Sequence, residues 1–179
     1  MTRVGSVYGE ALYDLTHSEG CDEAVLRELL VLGESFGQEP DFLRLMTAAN
    51  VPKEERCAVL DGCFRDKVHP YVLNFMKILA EKGYFKNFSQ CVQSYREHYN
   101  RDHGILEVKA VSAVALTDAQ QQRLKEKLHS ITGKTIELVC SVDPQCLGGM
   151  RLDYDGRRVE DTLRQRLDTL GDLLKNTAV

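Results

Sequence analysis

The hydrophobic period of this chain changes once, near Gly104. Before it, apolar residues recur every three or four positions. After it, in "ILEVKAVSAV", they alternate every second position. A helix repeats every 3.6 residues and a strand every two, and one segment cannot serve both. The chain must therefore build a helical part and then a part that holds strands. Its 179 residues are enough for two small domains. We place the boundary at 104/105, inside a hinge spanning 101–106.

The first part reads as six helices. Val4, Val7, Tyr8, Ala11, Leu12 and Leu15 form one stripe, and Val25, Leu26, Leu29, Leu30 and Phe36 a second, with Asp22 near its start. Pro40 opens a short helix holding Phe42, Leu45 and Met46. Pro52 opens another, because proline fits the first turn and Glu54 and Glu55 suit the positive end of the helix dipole. Val59, Leu60, Cys63 and Phe64 are expected to face inward there. Pro70 begins the fifth helix, with Val72, Phe75, Met76 and Leu79 on one face and Gly83 as its stop. Phe85, Phe88, Val92, Tyr95 and Tyr99 run up to Gly104 in the sixth. Short connections between such helices imply a bundle.

The second part reads β-α-β-β-β-α. Leu106, Val108, Ala110, Ser112 and Val114 share one face of a strand, with Glu107 and Lys109 opposite. Thr117 and Gln120, three apart, form a capping box for the next helix. Leu124, Leu128 and Ile131 continue it to Gly133. Ile136, Leu138, Cys140 and Val142 alternate in a second strand. Met150, Leu152 and Tyr154 alternate in a third, Asp155-Gly156 is a hairpin turn, and 157–159 return as a fourth. Leu163, Leu167, Leu170 and Leu174 line a terminal helix. The fold class is α+β, mainly α: a six-helix bundle over 1–104, then a small β-α-β-β-β-α domain over 105–179.

Composition narrows the function. The formal net charge of -4 gives no bulk attraction for nucleic acid. No apolar run reaches the roughly 20 residues of a membrane helix. The first 20 residues hold Glu10, Asp14 and Glu19 and no continuous apolar block, unlike a secretory signal or transit peptide. Six cysteines make no C-x-x-C pair, so reduced, mostly buried thiols are expected and no metal site. Gly133-Lys134-Thr135 resembles the end of a phosphate-binding loop, but that loop needs a glycine where Leu128 stands and a helix after it, not before. Gly133 is read as a helix stop. Gly148-Gly149 is read as a bulge or a tight strand start. Arg157, Arg158, Arg164 and Arg166 are interleaved with Glu160, Asp161 and Asp168, which suits a face for an acidic protein partner. No catalytic constellation and no cofactor site is expected. Two readings of another class stay open: a small nucleotide-binding protein using either glycine motif, and an RNA-binding or regulatory adaptor using the arginines.

Nearly end to end, the chain resembles the delta subunit family of F-type ATP synthases, which includes the oligomycin-sensitivity conferral protein. "VYGEALYDL" is similar to the family's first helix and "NFMKILAEKGYF" to its fifth. "LEVKAVSAVALTDAQQQRLKEKL" and "TGKTIELVCSVDPQCLGGMRLDYDGRRVEDTLRQRLDTL" are similar to its second domain. The chain departs from the family pattern at Tyr84, at Glu160-Asp161-Thr162 and at Cys146. The resemblance implies a non-catalytic stator subunit of the peripheral stalk, which resists rotor torque during ATP synthesis coupled to ion transport. It implies that the helical domain binds N-terminal segments of alpha subunits in a groove between helices one and five. On these residues that groove is Val7, Tyr8, Ala11 and Leu15 with Val72, Phe75, Met76 and Leu79. It implies that the second domain binds the C-terminal region of the b subunit, where Arg157, Arg158, Arg164 and Arg166 are the candidates. With no leader recognised, the expected place is the cytoplasmic face of a bacterial membrane, reached through partners.

Overall fold

A computed structural model describes residues 2–48, 50–146 and 148–162. The chain divides into two compact units, Met1–Tyr99 and Asn100–Val179, five residues earlier than the change of period suggests. The expected helix of Leu163, Leu167, Leu170 and Leu174 lies outside the described residues, as do Arg164 and Arg166.

The first unit is helical: α1 (Arg3–Ser18), α2 (Asp22–Gln38), α3 (Pro40–Thr47), α4 (Lys53–Phe64), α5 (Pro70–Glu81), a 3-10 turn (Phe85–Asn87) and α6, which begins at Phe88 and runs to Asp102. Pro70 takes the first position of α5, and the chain just before it is tied down by Glu28 of α2, whose carboxylate accepts from the His69 N–H at 2.7 Å. Arg56 of α4 is buried and donates to the Met46 carbonyl at 2.9 Å. It thereby satisfies an acceptor that the end of α3 leaves unpaired. The core centres on Phe36, whose ring lies 4.9 Å from Phe42, 5.1 Å from Phe88, 5.6 Å from Phe85 and 6.0 Å from Phe64. Offset and edge-to-face aromatic pairs at these separations add to what area burial alone supplies. Cys91 is buried in this core, and desolvation pushes its thiol up to about 11, so it stays protonated and packs as a small apolar group.

Two inward assignments change. Cys63 is exposed, because the inner face of α4 is set by Leu60 and Arg56. On α1 the buried face is Gly5, Gly9, Leu12, Tyr13 and Thr16, so of the expected apolar stripe only Leu12 is fully buried. Hydrophobicity alone points the wrong way here: glycine and threonine score low, yet close packing and a buried hydroxyl pair select them.

The second unit holds β1 (Ile105–Ser112), α7 (Asp118–Thr132), β2 (Thr135–Val142), β3 (Gly149–Tyr154) and β4 (Arg157–Thr162) in one sheet of order β2-β1-β3-β4. β1 and β2 are parallel and joined through α7, and the other pairs are antiparallel. Thr117 and Gln120 form the expected capping box. Gly133 adopts φ 69 and its N–H donates to the His129 carbonyl at 2.8 Å. It ends a helix and precedes a strand, the reverse of a phosphate loop. Asp155 and Gly156 both have positive φ, as a tight hairpin turn requires. Gly148 (φ 150) and Gly149 (φ 80) open β3 in conformations that favour glycine. Val114 is an exception to the reading of β1: the strand stops at Ser112, and Val114 is exposed. Leu106, Val108 and Ile136 are buried on the face that carries Leu128 of α7.

Candidate protein interface

The eight residues proposed for a groove separate into two sets. On α1, Val7 is 54% exposed and Leu15 44%, Ala11 is exposed, and Tyr8 is half-buried. They fall at i, i+1, i+4 and i+8, an outward apolar row. On α5, Val72, Phe75, Met76 and Leu79 are all buried in the unit's core, and the Phe75 ring lies 6.2 Å from that of Phe88. This corrects the α5 half of the groove: those four support the surface from beneath, because the face of α5 richest in large side chains is the one the bundle consumes. A different α5 residue, Ile78, stands 43% exposed, and Tyr84, just past α5, stands 37% exposed. Tyr84 packs edge-to-face on Tyr8 at 6.0 Å and so continues the α1 row towards α5. Ile78 and Tyr84 escape a search for the strongest stripe. Their signal is the reverse, single large apolar residues out of phase with the core.

The inner face of α1 explains why its outer row is left free. Gly5 and Gly9 face α6, where the Ser94 hydroxyl donates to the Ser6 carbonyl at 3.2 Å. At the N-terminal end, the Thr2 hydroxyl caps α1 at Gly5 and accepts from the Asn87 amide at 2.9 Å, and it bonds to the Gln90 side chain. At the C-terminal end, the Tyr95 hydroxyl donates to the Asp22 carbonyl at 3.0 Å and shares a 2.6 Å hydrogen bond with Thr16. Burial pushes the Tyr95 hydroxyl well above its ordinary range, so it remains a donor. With the inner side of α1 taken by glycine contacts, hydrogen bonds, Leu12 and Tyr13, Val7 and Leu15 stand outward.

On the second unit, Arg157 is exposed. Arg158 is not a free cation: its Nε donates to Asp153 at 2.7 Å, and Arg151 approaches the same carboxylate at 3.4 Å. The hydrogen bond from Arg158 is the main reason the Asp153 carboxyl lies below the usual range. The sheet has one charged face, with Glu107, Lys109, Glu137, Arg151 and Asp153. The face that α7 partly covers ends in exposed Cys140 and Val142. Among the described residues no group of three or more His, Cys, Asp or Glu is placed to hold a metal ion, and no helix is long and apolar enough to cross a membrane.

The described residues form a mainly helical unit and then a four-stranded sheet crossed by one helix, with an apolar row exposed on the first helix. Residues 4–174 match the family described as ATP synthase delta (OSCP) subunit, and the chain belongs to that family, the non-catalytic subunits of the ATP synthase peripheral stalk. It is 30% identical to an ATP synthase subunit delta of Allorhizobium ampelinum, over 98% of this chain and 91% of that protein. It is 26% identical to one of Acetivibrio thermocellus, over 97% and 98%. The fold also matches a chain in the mitochondrial ATP synthase hexamer of Toxoplasma gondii, with a TM-score of 0.79 at 17% identity, over 97% of this chain and 98% of that one.

Proposed function

We propose that this subunit joins the catalytic head of an F-type ATP synthase to its b subunits and resists rotor torque during ATP synthesis coupled to ion transport. The first unit takes N-terminal segments of alpha subunits, and the second takes the C-terminal region of b. The assembly holds the chain at the cytoplasmic face of a bacterial membrane. The observation that carries this reading is the outward row Val7, Ala11 and Leu15 beside Tyr8 and Tyr84. An amphipathic partner helix reads such a row through anchors at helical spacing. Each large anchor contributes about 1.5–3 kcal/mol before ordering costs, and a joint under load needs the slow dissociation that apolar contacts provide.

Calorimetric titration of the full chain with a synthetic N-terminal peptide of the cognate alpha subunit tests it. One-to-one binding with a negative heat-capacity change is expected, weakened about ten-fold or more by Val7→Asp or Leu15→Asp. A folded chain that ignores the peptide, or that binds it equally well with both substitutions, sinks the assignment.

A further inference from the structure

The seam between α1 and α6 is unusual for a bundle. A methyl group added at Gly9 would stand 2.4 Å from the Cys91 carbonyl oxygen and 2.6 Å from Ser94 Cβ. One added at Gly5 would stand 2.7 Å from Gln90 Cβ. Ordinary carbon contacts sit at about 3.5–4.0 Å, so α1 lies against α6 more closely than any residue with a Cβ allows. Gly33 and Gly37 of α2 differ, with open space where a Cβ would go. The two close glycines are one helical turn apart, and so are Gln90 and Ser94, which they meet. The side chains of α6 thus enter two successive notches in α1. Sliding α1 along α6 by one residue, about 1.5 Å, would drive both out of their notches. Hydrogen bonds fix the two ends of the same seam: Thr2 with Asn87 and Gln90, and Thr16 with Tyr95.

We propose that Gly5 and Gly9 are positioning residues. They seat α1 on α6 in a single register, and that register presents the outward row of Val7, Ala11 and Leu15 to a partner helix. Neither glycine touches the partner, because both point into the bundle and are buried. They act on affinity through the placement of α1. This inference rests on the alpha-binding reading for its consequence, though not for the seating itself.

The test uses the full chain as wild type, Gly9→Ala, Gly9→Ala/Ser94→Gly, and Leu60→Ala as a control that loosens the core at α4, away from the seam. Gly5→Ala, whose nearest contact is a side-chain Cβ at 2.7 Å rather than a carbonyl oxygen at 2.4 Å, is the milder variant should Gly9→Ala fail to fold. Amide hydrogen exchange over residues 3–18 reads the seating, and calorimetry with the alpha-subunit peptide reads its consequence. Gly9→Ala is expected to speed exchange in α1 selectively and to weaken the peptide about ten-fold. Ser94→Gly removes one of the two clashes and is expected to recover part of both. Leu60→Ala is expected to bind as wild type at temperatures where it is folded. Wild-type exchange and wild-type affinity in folded Gly9→Ala overturn the proposal, and so does an equal loss of affinity in Leu60→Ala, which would mark a general effect of stability. A wild type that does not bind the peptide removes the alpha-binding reading instead, and the exchange comparison alone then decides whether the glycines seat α1.

Discussion

Among the described residues of the unit spanning 1–99, nineteen buried apolar side chains close one core around Phe36. Among the described residues of the unit from residue 100, Leu106, Val108 and Ile136 form one buried cluster, and Ala110, Val111 and Cys146 are buried as well. There the continuous structure is the backbone ladder: eight paired positions between β1 and β2, then the β1–β3 and β3–β4 pairs. Among the described residues, side-chain packing dominates the first unit, and strand pairing is the most extensive structure of the second. A helix satisfies its own backbone, so a helical unit depends on what its side faces bury. A sheet ties residues distant in sequence through main-chain bonds, and each side chain then carries a smaller share.

The comparison is sharpest at Phe36. Phe36→Ala is expected to cost about 3–5 kcal/mol. Urea unfolding followed by residue-resolved amide exchange should place that loss in residues 3–99 and leave the sheet amides unchanged. A loss shared equally by both units would mean that they unfold as one body and that the contrast drawn here is wrong. Leu106→Ala comes next, at about 2–3 kcal/mol, read as faster exchange in β1 and β2 with α2 and α5 unaffected. The smallest effect is electrostatic. Asp153 is held below its ordinary range by Arg158 and Arg151. A carboxyl whose folded value is lowered stabilises the fold above its unfolded value and loses that contribution as pH falls through the folded one. The second unit should therefore lose this increment only below about pH 4. Asp153→Asn should abolish that part of the acid dependence while changing neutral stability by well under about 1 kcal/mol. Its size is checked by unfolding the two proteins across pH 2–7.

Much of the architecture is legible where local chemistry and global fold agree. The Thr117 capping box, the Gly133 helix stop and the Asp155-Gly156 turn each follow from a few neighbouring residues and stand where the spacing puts them. The phase of α1 is not legible by hydrophobicity, since the helix buries Gly5, Gly9 and Thr16 and exposes Val7 and Leu15. The i, i+4 glycine pair was the available signal, because two glycines one turn apart in a helix lower its propensity and need a packing reason. On α5 the pattern marks a buried face without saying what buries it, and α6 and the core use it before any partner does. Of the candidate residues, Val7, Ala11 and Leu15 of α1 stand outward and the four of α5 are taken by the core; on the second unit Arg157 is exposed, Arg158 engages Asp153, and Arg164 and Arg166 lie outside the described residues.

The α1–α6 seam also sets an order of events during synthesis. Gly9 closes on Cys91 and Ser94, which the ribosome adds more than eighty residues later. At about 5–20 residues per second the first helix waits roughly 4–17 s for its partner. Throughout that interval both of its sides are bare, the outward apolar row and the notched side that meets α6. The nascent chain thus carries α1 in an unfinished form, and the helix acquires its fixed seat only when the last helix of the unit arrives. On the proposed function, a partner that reads the seated row meets it only after the bundle is complete.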